Sequence, residues 1–240
     1  VYEPTRRRRF LYQVSEYLQG PTLRQWIHDN PKPELEQART LIEQIASGLQ
    51  AFHRKEMLHQ DIKPENIIIG EQGVLKIIDF GSTKIAGIAE IDTPIDRSNL
   101  LGTKNYSAPE NFADQPGTTA SDIYSLGVIS YTLLTGGELP YGELPSTKNR
   151  INFNKLNYIP ARDFNETLPN WLEACLRKSV SIDPKERYQE LSEFLYDLRN
   201  PNKNLTYEDK RPLLERDPLL FWKGLSGILF LVILLLLTIL

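Results

Sequence analysis

The chain has 240 residues, 40% hydrophobic and 25% charged, with 28 Lys and Arg against 31 Asp and Glu and a formal net charge of −3. That length holds one full-sized domain with a proper core plus appendages, and the composition is that of an ordinary globular protein. The charge balance lacks the basic excess of a general nucleic-acid binder, and the lone Cys175 excludes an internal disulfide framework and points to a reducing compartment.

The chain opens on Val1-Tyr2-Glu3-Pro4 rather than on a methionine or a signal peptide, which reads as an internal cut. A four-arginine run, Arg6 to Arg9, reads as a solvated turn, with a partner or phosphate contact as the alternative, and Phe10 to Tyr17 reads as a strand. Gly20-Pro21 then leads into a short helix over Thr22 to His28, and Asn30 to Pro33 is a linker. From Glu34 to Arg54, apolar residues at Leu35, Ala38, Ile42, Ile45, Leu49 and Phe52 follow the three-four step of an amphipathic helix.

Ile67 to Ile69 and Val74 to Ile78 are β-branched runs around the glycine-flanked turn Gly70 to Gly73, the pattern of a hairpin. Ile123 to Leu134 is apolar on nearly every side and belongs in the middle of a domain. After a polar loop from Thr135 to Pro160, Cys175 falls among Trp171, Leu172 and Leu176, where it reads as a small buried hydrophobe. A last amphipathic helix carries Tyr188, Leu191, Phe194, Leu195 and Leu198 on one face.

Asn200 to Pro218 is polar, proline-dotted linker. Gly224 to Leu240 carries no charge, and Phe221, Trp222 and Lys223 supply an interfacial aromatic anchor and a basic flank. The run is slightly short of the ~20 residues that a bilayer core asks for, yet it has no polar face to give water, so a spanning helix over 221–240 is expected.

Chemistry is concentrated in His59-Gln60-Asp61-Ile62-Lys63-Pro64-Glu65-Asn66, followed by Asp79-Phe80-Gly81 and later by Ala108-Pro109-Glu110. Each piece alone is weak. In this order, bracketing a hairpin, they resemble the catalytic loop, metal-binding motif and activation-segment end of protein kinases. Phosphoryl transfer asks mainly for positioning and charge neutralisation, which fits the residue types present. A carboxylate at Asp61 can orient a substrate hydroxyl, and Lys63 can put positive charge on the phosphate in transit. Asn66 and Asp79 offer the hard oxygen ligands that Mg²⁺ prefers.

The resemblance, which runs from about Val1 to Asn200, implies the rest. The fold class is α+β and protein-kinase-like: mainly the helical large lobe with a small β-hairpin, plus one C-terminal transmembrane helix. Residues 1–18 would be the end of the small lobe and the hinge, 19–200 the large lobe, 201–220 a juxtamembrane linker and 221–240 the span. ATP and Mg²⁺ are the implied cofactors, with Glu16, Tyr17 and Leu18 as backbone contacts to adenine. Lys63 and Gly102-Thr103 resemble the serine/threonine class, in which the threonine hydroxyl, here that of Thr103, bridges Asp61 and Lys63. Asp122 looks like the anchor of the catalytic-loop backbone, and Glu110 with Arg187 looks like the family's buried ion pair. His59 is read as a packing histidine, and His53 and His28 carry no catalytic role.

The strings at 48–58, 78–83 and 222–225 are similar to those of bacterial bifunctional proteins. These join a PP2C-type phosphatase domain, a kinase domain and a C-terminal membrane anchor. The resemblance implies protein substrates with serine or threonine, no nucleic-acid partner, a fused phosphatase upstream, and a single-pass protein of the bacterial inner membrane. Its kinase domain would be cytoplasmic, and Arg211, Arg216 and Lys223 before the span agree with the positive-inside tendency.

Two departures qualify the expectation. Gln60 replaces the arginine usual before the catalytic aspartate, so a phosphorylated activation segment would lose its main charge partner. The chain also carries no glycine-rich phosphate loop, nucleotide-gripping lysine or partner helix glutamate, so by itself it is expected to bind ATP poorly, with those parts upstream. The competing readings are a pseudokinase-like scaffold and a membrane-anchoring module of a fused phosphatase.

Overall fold

Thr22 opens the first helix, α1 (Leu23–Asp29), by a reciprocal cap: its hydroxyl accepts from the Gln25 N–H while the Gln25 side chain accepts from the Thr22 N–H. The structure, a computed structural model, describes residues 14–81, 83–85, 104–113, 116–145, 151–205 and 212–239. It divides into two units, 1–205 and 206–240.

In the first unit, α2 (Leu35–His53) buries Ala38, Leu41, Ile42, Ile45, Ala46 and Leu49 along one stripe. That stripe packs on α3 (Thr119–Thr135), where every residue from Ala120 to Leu134 is buried. A helix with no polar face can be stable only at the centre of a domain, and α3 is covered by α2 and α4. It ends at Gly136, whose φ of 76° is the left-handed conformation that glycine adopts without strain. On its other side lies α4 (Asn170–Ser179), and α5 (Leu191–Arg199) closes the core against α2 and α4. Gly127 allows the close α3–α4 approach: a Cβ there would lie 2.8 Å from Ser179 Cβ and 3.0 Å from Val180 Cγ1.

Among the described residues, four short strands serve the loops between them. β1 (Met57–Leu58) pairs antiparallel with β4 (Lys84–Ile85), and β2 (Ile67–Ile69) pairs antiparallel with β3 (Leu75–Ile77). Leu58 opposite Lys84 closes one flank and Ile67 opposite Ile77 the other, so segments 59–66 and 78–81 are held side by side. The hairpin turn uses left-handed φ values at Gln72 (61°) and Gly73 (75°). Gln44 of α2 fastens the hairpin to the helix: its amide nitrogen donates to Gly73 O and its oxygen accepts from Leu75 N–H.

Two expectations are corrected. The strand over Phe10–Tyr17 is not formed in its described part: residues 14–17 have no regular structure, and no strand among the described residues pairs with them to stabilise one. Phe10–Gln13 and the arginine run lie outside the described residues. In the second unit, α6 (Leu213–Arg216) interrupts the expected linker, and α7 runs over Pro218–Ile239 rather than 221–240. Asp217 sets this start, accepting the Leu220 N–H at its carboxylate (2.9 Å) and the Phe221 N–H at its carbonyl (3.1 Å), with Pro218 at a first-turn position that needs no N–H. Among the described residues no helix is long and apolar enough to cross a membrane. The expected transmembrane helix is therefore not shown.

Candidate active site

The segment 59–66 is held by a carboxylate from the central helix. Asp122, in the first turn of α3 and fully buried, accepts the backbone N–H of Gln60 at Oδ1 (2.8 Å) and that of His59 at Oδ2 (3.0 Å). His53, the last residue of α2, adds its Nε2 at 2.9 Å from Asp122 Oδ2. Three elements thus converge on one side chain, and Gln60 sits in the left-handed region (φ 63°). Buried donors gathered on a buried carboxylate are worth more than their exposed counterparts, because no water replaces them if they are lost.

His59 is buried and packs between Phe52 (centroids 5.6 Å apart) and Phe80 (6.0 Å). Its Nδ1 lies 3.4 Å from the Asp61 N–H. Burial lowers its pKa below the usual imidazole value against the pull of Asp122, Asp61 and Asp79, so the ring is neutral at pH 7.

At the mouth of this segment, Asp61 Oδ2 accepts from Lys63 Nζ (2.8 Å) and from Asn66 Nδ2 (3.1 Å), which also donates to Asp61 O (2.9 Å). The other oxygen, Oδ1, has no hydrogen-bond partner among the described residues. One carboxylate oxygen is therefore fixed by a cation and an amide, while its twin is buried without a partner among the described residues. Because Asn66 spends its nitrogen on Asp61, its side-chain oxygen is the atom left for a ligand.

The Ile78 N–H donates to Asn66 O (2.8 Å), which ties the segment to the strand end that carries Asp79. Asp79 is exposed, has a φ of 63° and accepts the Gly81 N–H at Oδ1 (3.2 Å). The Phe80 ring leans on Phe52 (5.4 Å between centroids) while remaining half exposed. Among the described residues no group of three His, Cys, Asp or Glu could hold a metal. Asn66 and Asp79 are instead a sparse, hard-oxygen pair, which fits an ion that takes its remaining ligands from phosphate and water, as Mg²⁺ does.

Glu16, Tyr17 and Leu18 line an open cleft with Ile68, Val74 and Lys76. The Glu16 side chain is engaged by Lys76 Nζ at 3.0 and 2.9 Å, a pairing across the chain that the sequence did not signal. Ile68, on the opposite face of β2 from the buried Ile67 and Ile69, gives that cleft an apolar wall. Its half-buried place in the alternation was the available clue.

Away from the loops, Arg187 and Glu110 form a buried two-pronged pair at 2.7 and 2.8 Å. Arg187 directs all its N–H groups to acceptors, the others being the carbonyls of Ser181, Ala120 and Ile182, and lies over the Tyr124 ring. Burial opposes the charge on Glu110, but Arg187 and the Ser121 hydroxyl (2.7 Å) outweigh it and lower the carboxyl's pKa. Cys175 is fully buried, and burial pushes its thiol up to about 12, which leaves it inert. Gly102 and Thr103, with the expected bridge from the Thr103 hydroxyl to Asp61 and Lys63, lie outside the described residues. The structure thus brings together Asp61, Lys63 and Asn66, with Asp79 on the adjoining strand end, and Asp122 beneath them. Sequence reading missed His53, whose partner is 69 residues away, as its spacing gives no sign.

Comparison with known proteins adds a family match: residues 1–201 fit the model described as "Protein kinase domain". A probable serine/threonine-protein kinase of Clostridium perfringens is 31% identical over 201 residues, covering 83% of this chain and 29% of that protein. The serine/threonine-protein kinase PrkC of Bacillus subtilis is 30% identical over 206 residues, covering 86% and 31%. Serine/threonine-protein kinase PknB of Mycobacterium leprae is 31% identical over 188 residues, covering 78% and 30%. The chain spans about three tenths of the length of these curated relatives.

Proposed function

The chain belongs to the protein kinase family, and from that premise we propose that, within its whole protein, it transfers the γ-phosphate of ATP to serine or threonine hydroxyls of protein substrates. The observation that carries the proposal is the asymmetric setting of Asp61, with Oδ2 fixed by Lys63 and Asn66 and Oδ1 without a partner among the described residues. A substrate hydroxyl would donate to the Asp61 carboxylate, whose side chain is partly exposed. Its oxygen forms the new bond to the γ-phosphorus as the bond from that phosphorus to the β–γ bridging oxygen breaks, ADP leaves with that electron pair, and the hydroxyl proton passes to Asp61. Lys63, 2.8 Å from Asp61, is close enough to balance charge on the phosphoryl oxygens in transit. Asn66 and Asp79 would hold Mg²⁺, which when bound neutralises the phosphates. The hinge residues Glu16 and Leu18, with Ile68 beside them, would take the adenine.

The test is phosphate transfer by the full-length protein compared with Asp61→Ala and Asp79→Ala. Equal signal from all three would sink the catalytic assignment and favour a scaffold. A scaffold has no need for a carboxylate gripped by a lysine and an amide in one short loop, which is why the enzyme reading is preferred.

The finer part of the proposal is attachment to a membrane. It is supported by α7, where Leu219, Leu220, Trp222, Ile228, Leu229, Phe230, Leu231, Val232 and Ile233 are exposed, an arrangement that water disfavours and lipid does not. The kinase domain would then face the cytoplasm, where ATP is, at a bacterial inner membrane. Flotation of the full-length protein with vesicles, against a version ending before Pro218, tests it; equal recovery in the soluble fraction would refute it. A fused PP2C-type phosphatase upstream is supported only by the resemblance of 48–58, 78–83 and 222–225 to such proteins. Metal-dependent phosphatase activity of the whole protein is the check.

A further inference from the structure

Beside the catalytic loop, a carboxylate is already occupied by the protein's own arginine. Glu65 lies between Lys63 and Asn66, the two residues that grip Asp61, so it is adjacent to the place where a phosphate acceptor must lie. Its Oε1 accepts from Arg24 Nε at 2.8 Å. Arg24 comes from α1, and its guanidinium also sits 5.6 Å over the ring of Tyr106, a buried residue shortly before Ala108-Pro109-Glu110. Three segments meet at this pair: the first helix, the catalytic loop and the stretch that leads to Glu110.

The pair is not a buried structural clamp. Its two side chains are 44% and 41% exposed, and Arg24 borders an open cleft with Pro21, Gln25, His28 and Asp29. Nor is it a fully used one. Glu65 Oε2 faces inward and has no hydrogen-bond partner among the described residues, so Arg24 makes a single-point contact where a guanidinium can make two. A second arginine arriving on a peptide would compete with Arg24 for the same carboxylate.

We propose that Arg24 masks Glu65 and thereby sets substrate choice: the enzyme gains little from basic residues beside the acceptor serine or threonine. Resting on the kinase reading above, this deepens it by naming the substrate class. The class is peptides that are neutral at the positions meeting Glu65. Removal of the arginine would expose a carboxylate and create a preference for basic flanks. A half-exposed ion pair sets the scale of that gain at about five-fold.

The experiment uses the full-length protein, Arg24→Ala and the double variant Arg24→Ala/Glu65→Ala. The probes are serine peptides with an arginine placed in turn at each flanking position, beside an uncharged parent. Peptide affinity and kcat/KM are both measured. The expected result is little discrimination by the unaltered protein, and an about five-fold gain by Arg24→Ala for arginine at one or two adjacent positions. That gain shrinks at high salt, and the double variant loses it. The parent peptide is affected equally little in all three. A uniform change for every peptide, or no gain at any position, overturns the inference. A pattern present in affinity while no protein transfers phosphate would overturn the kinase reading and leave this one standing.

Discussion

His53 Nε2 lies 2.9 Å from Asp122 Oδ2, the same oxygen that accepts the His59 N–H, while Asp122 Oδ1 accepts the Gln60 N–H. The end of one helix and the start of another are thereby joined to the loop that presents Asp61. Asp122→Ala would orphan two loop N–H groups in a dry setting, and it should lower stability by about 2–3 kcal/mol. It should reduce phosphate transfer more than nucleotide affinity, because the aspartate's position is what suffers. His53→Ala should do less on both counts. Thermal unfolding and single-turnover rates check this.

Arg187 and Glu110 should be hard to separate. Arg187→Ala leaves Glu110 charged and buried, and the expected loss is about 3–5 kcal/mol. A joint replacement of both by apolar residues of similar size should be milder than either single change. A double-mutant cycle in denaturant measures the difference.

The same pair should make the fold acid-sensitive. Glu110 has a folded pKa below its ordinary value of 4.5, so its stabilising contribution is complete above that value and fades as pH falls through the lowered one. Unfolding midpoints should therefore drop below about pH 4.5. Glu110→Gln should flatten that part of the pH profile.

Gly127 should not tolerate a methyl group. With Ser179 Cβ only 2.8 Å from the position a Cβ would take, Gly127→Ala should force α3 and α4 apart and cost about 1–3 kcal/mol, despite the better helix propensity of alanine. Calorimetry of the single variant is sufficient.

Gln60 leads to a regulatory expectation. No guanidinium stands before Asp61, and the Gln60 side-chain nitrogen is buried against Gly117 without a hydrogen-bond partner among the described residues. A phosphate on the segment between Ser82 and Ser107 thus lacks its usual charge partner at this position. Full-length protein stripped of phosphate should retain its activity. Recovery only after phosphorylation in that segment would contradict this.

Much of the site was legible because its grip is local. Asp61, Lys63 and Asn66 lie within one short loop, and the hairpin that carries Asp79 announces itself by β-branched runs around glycines. The helices α2 and α3 were legible for a similar reason: a stripe three and four apart, and a run apolar on all sides, each dictate burial. What the sequence hid depends on distant partners. His53 meets Asp122 across 69 residues, Lys76 meets Glu16 across 60, and Arg24 meets Glu65 across 41. Val14 to Tyr17, the described part of the expected strand, misled because a strand also needs a neighbour to pair with, and none pairs with them among the described residues. The start of α7 was placed three residues late because Asp217 and Pro218 were read as linker, although together they form a helix cap.

The central claim is that Asp61 serves the chemical step rather than nucleotide binding. The most direct measurement is the single-turnover phosphate-transfer rate of full-length protein and of Asp61→Asn, with ATP affinity measured on the same samples. The rate of Asp61→Asn should be at least about 100-fold lower with affinity changed only a few-fold, since a general base contributes on that scale. An unchanged rate, or a loss of rate matched by an equal loss of ATP affinity, would contradict it.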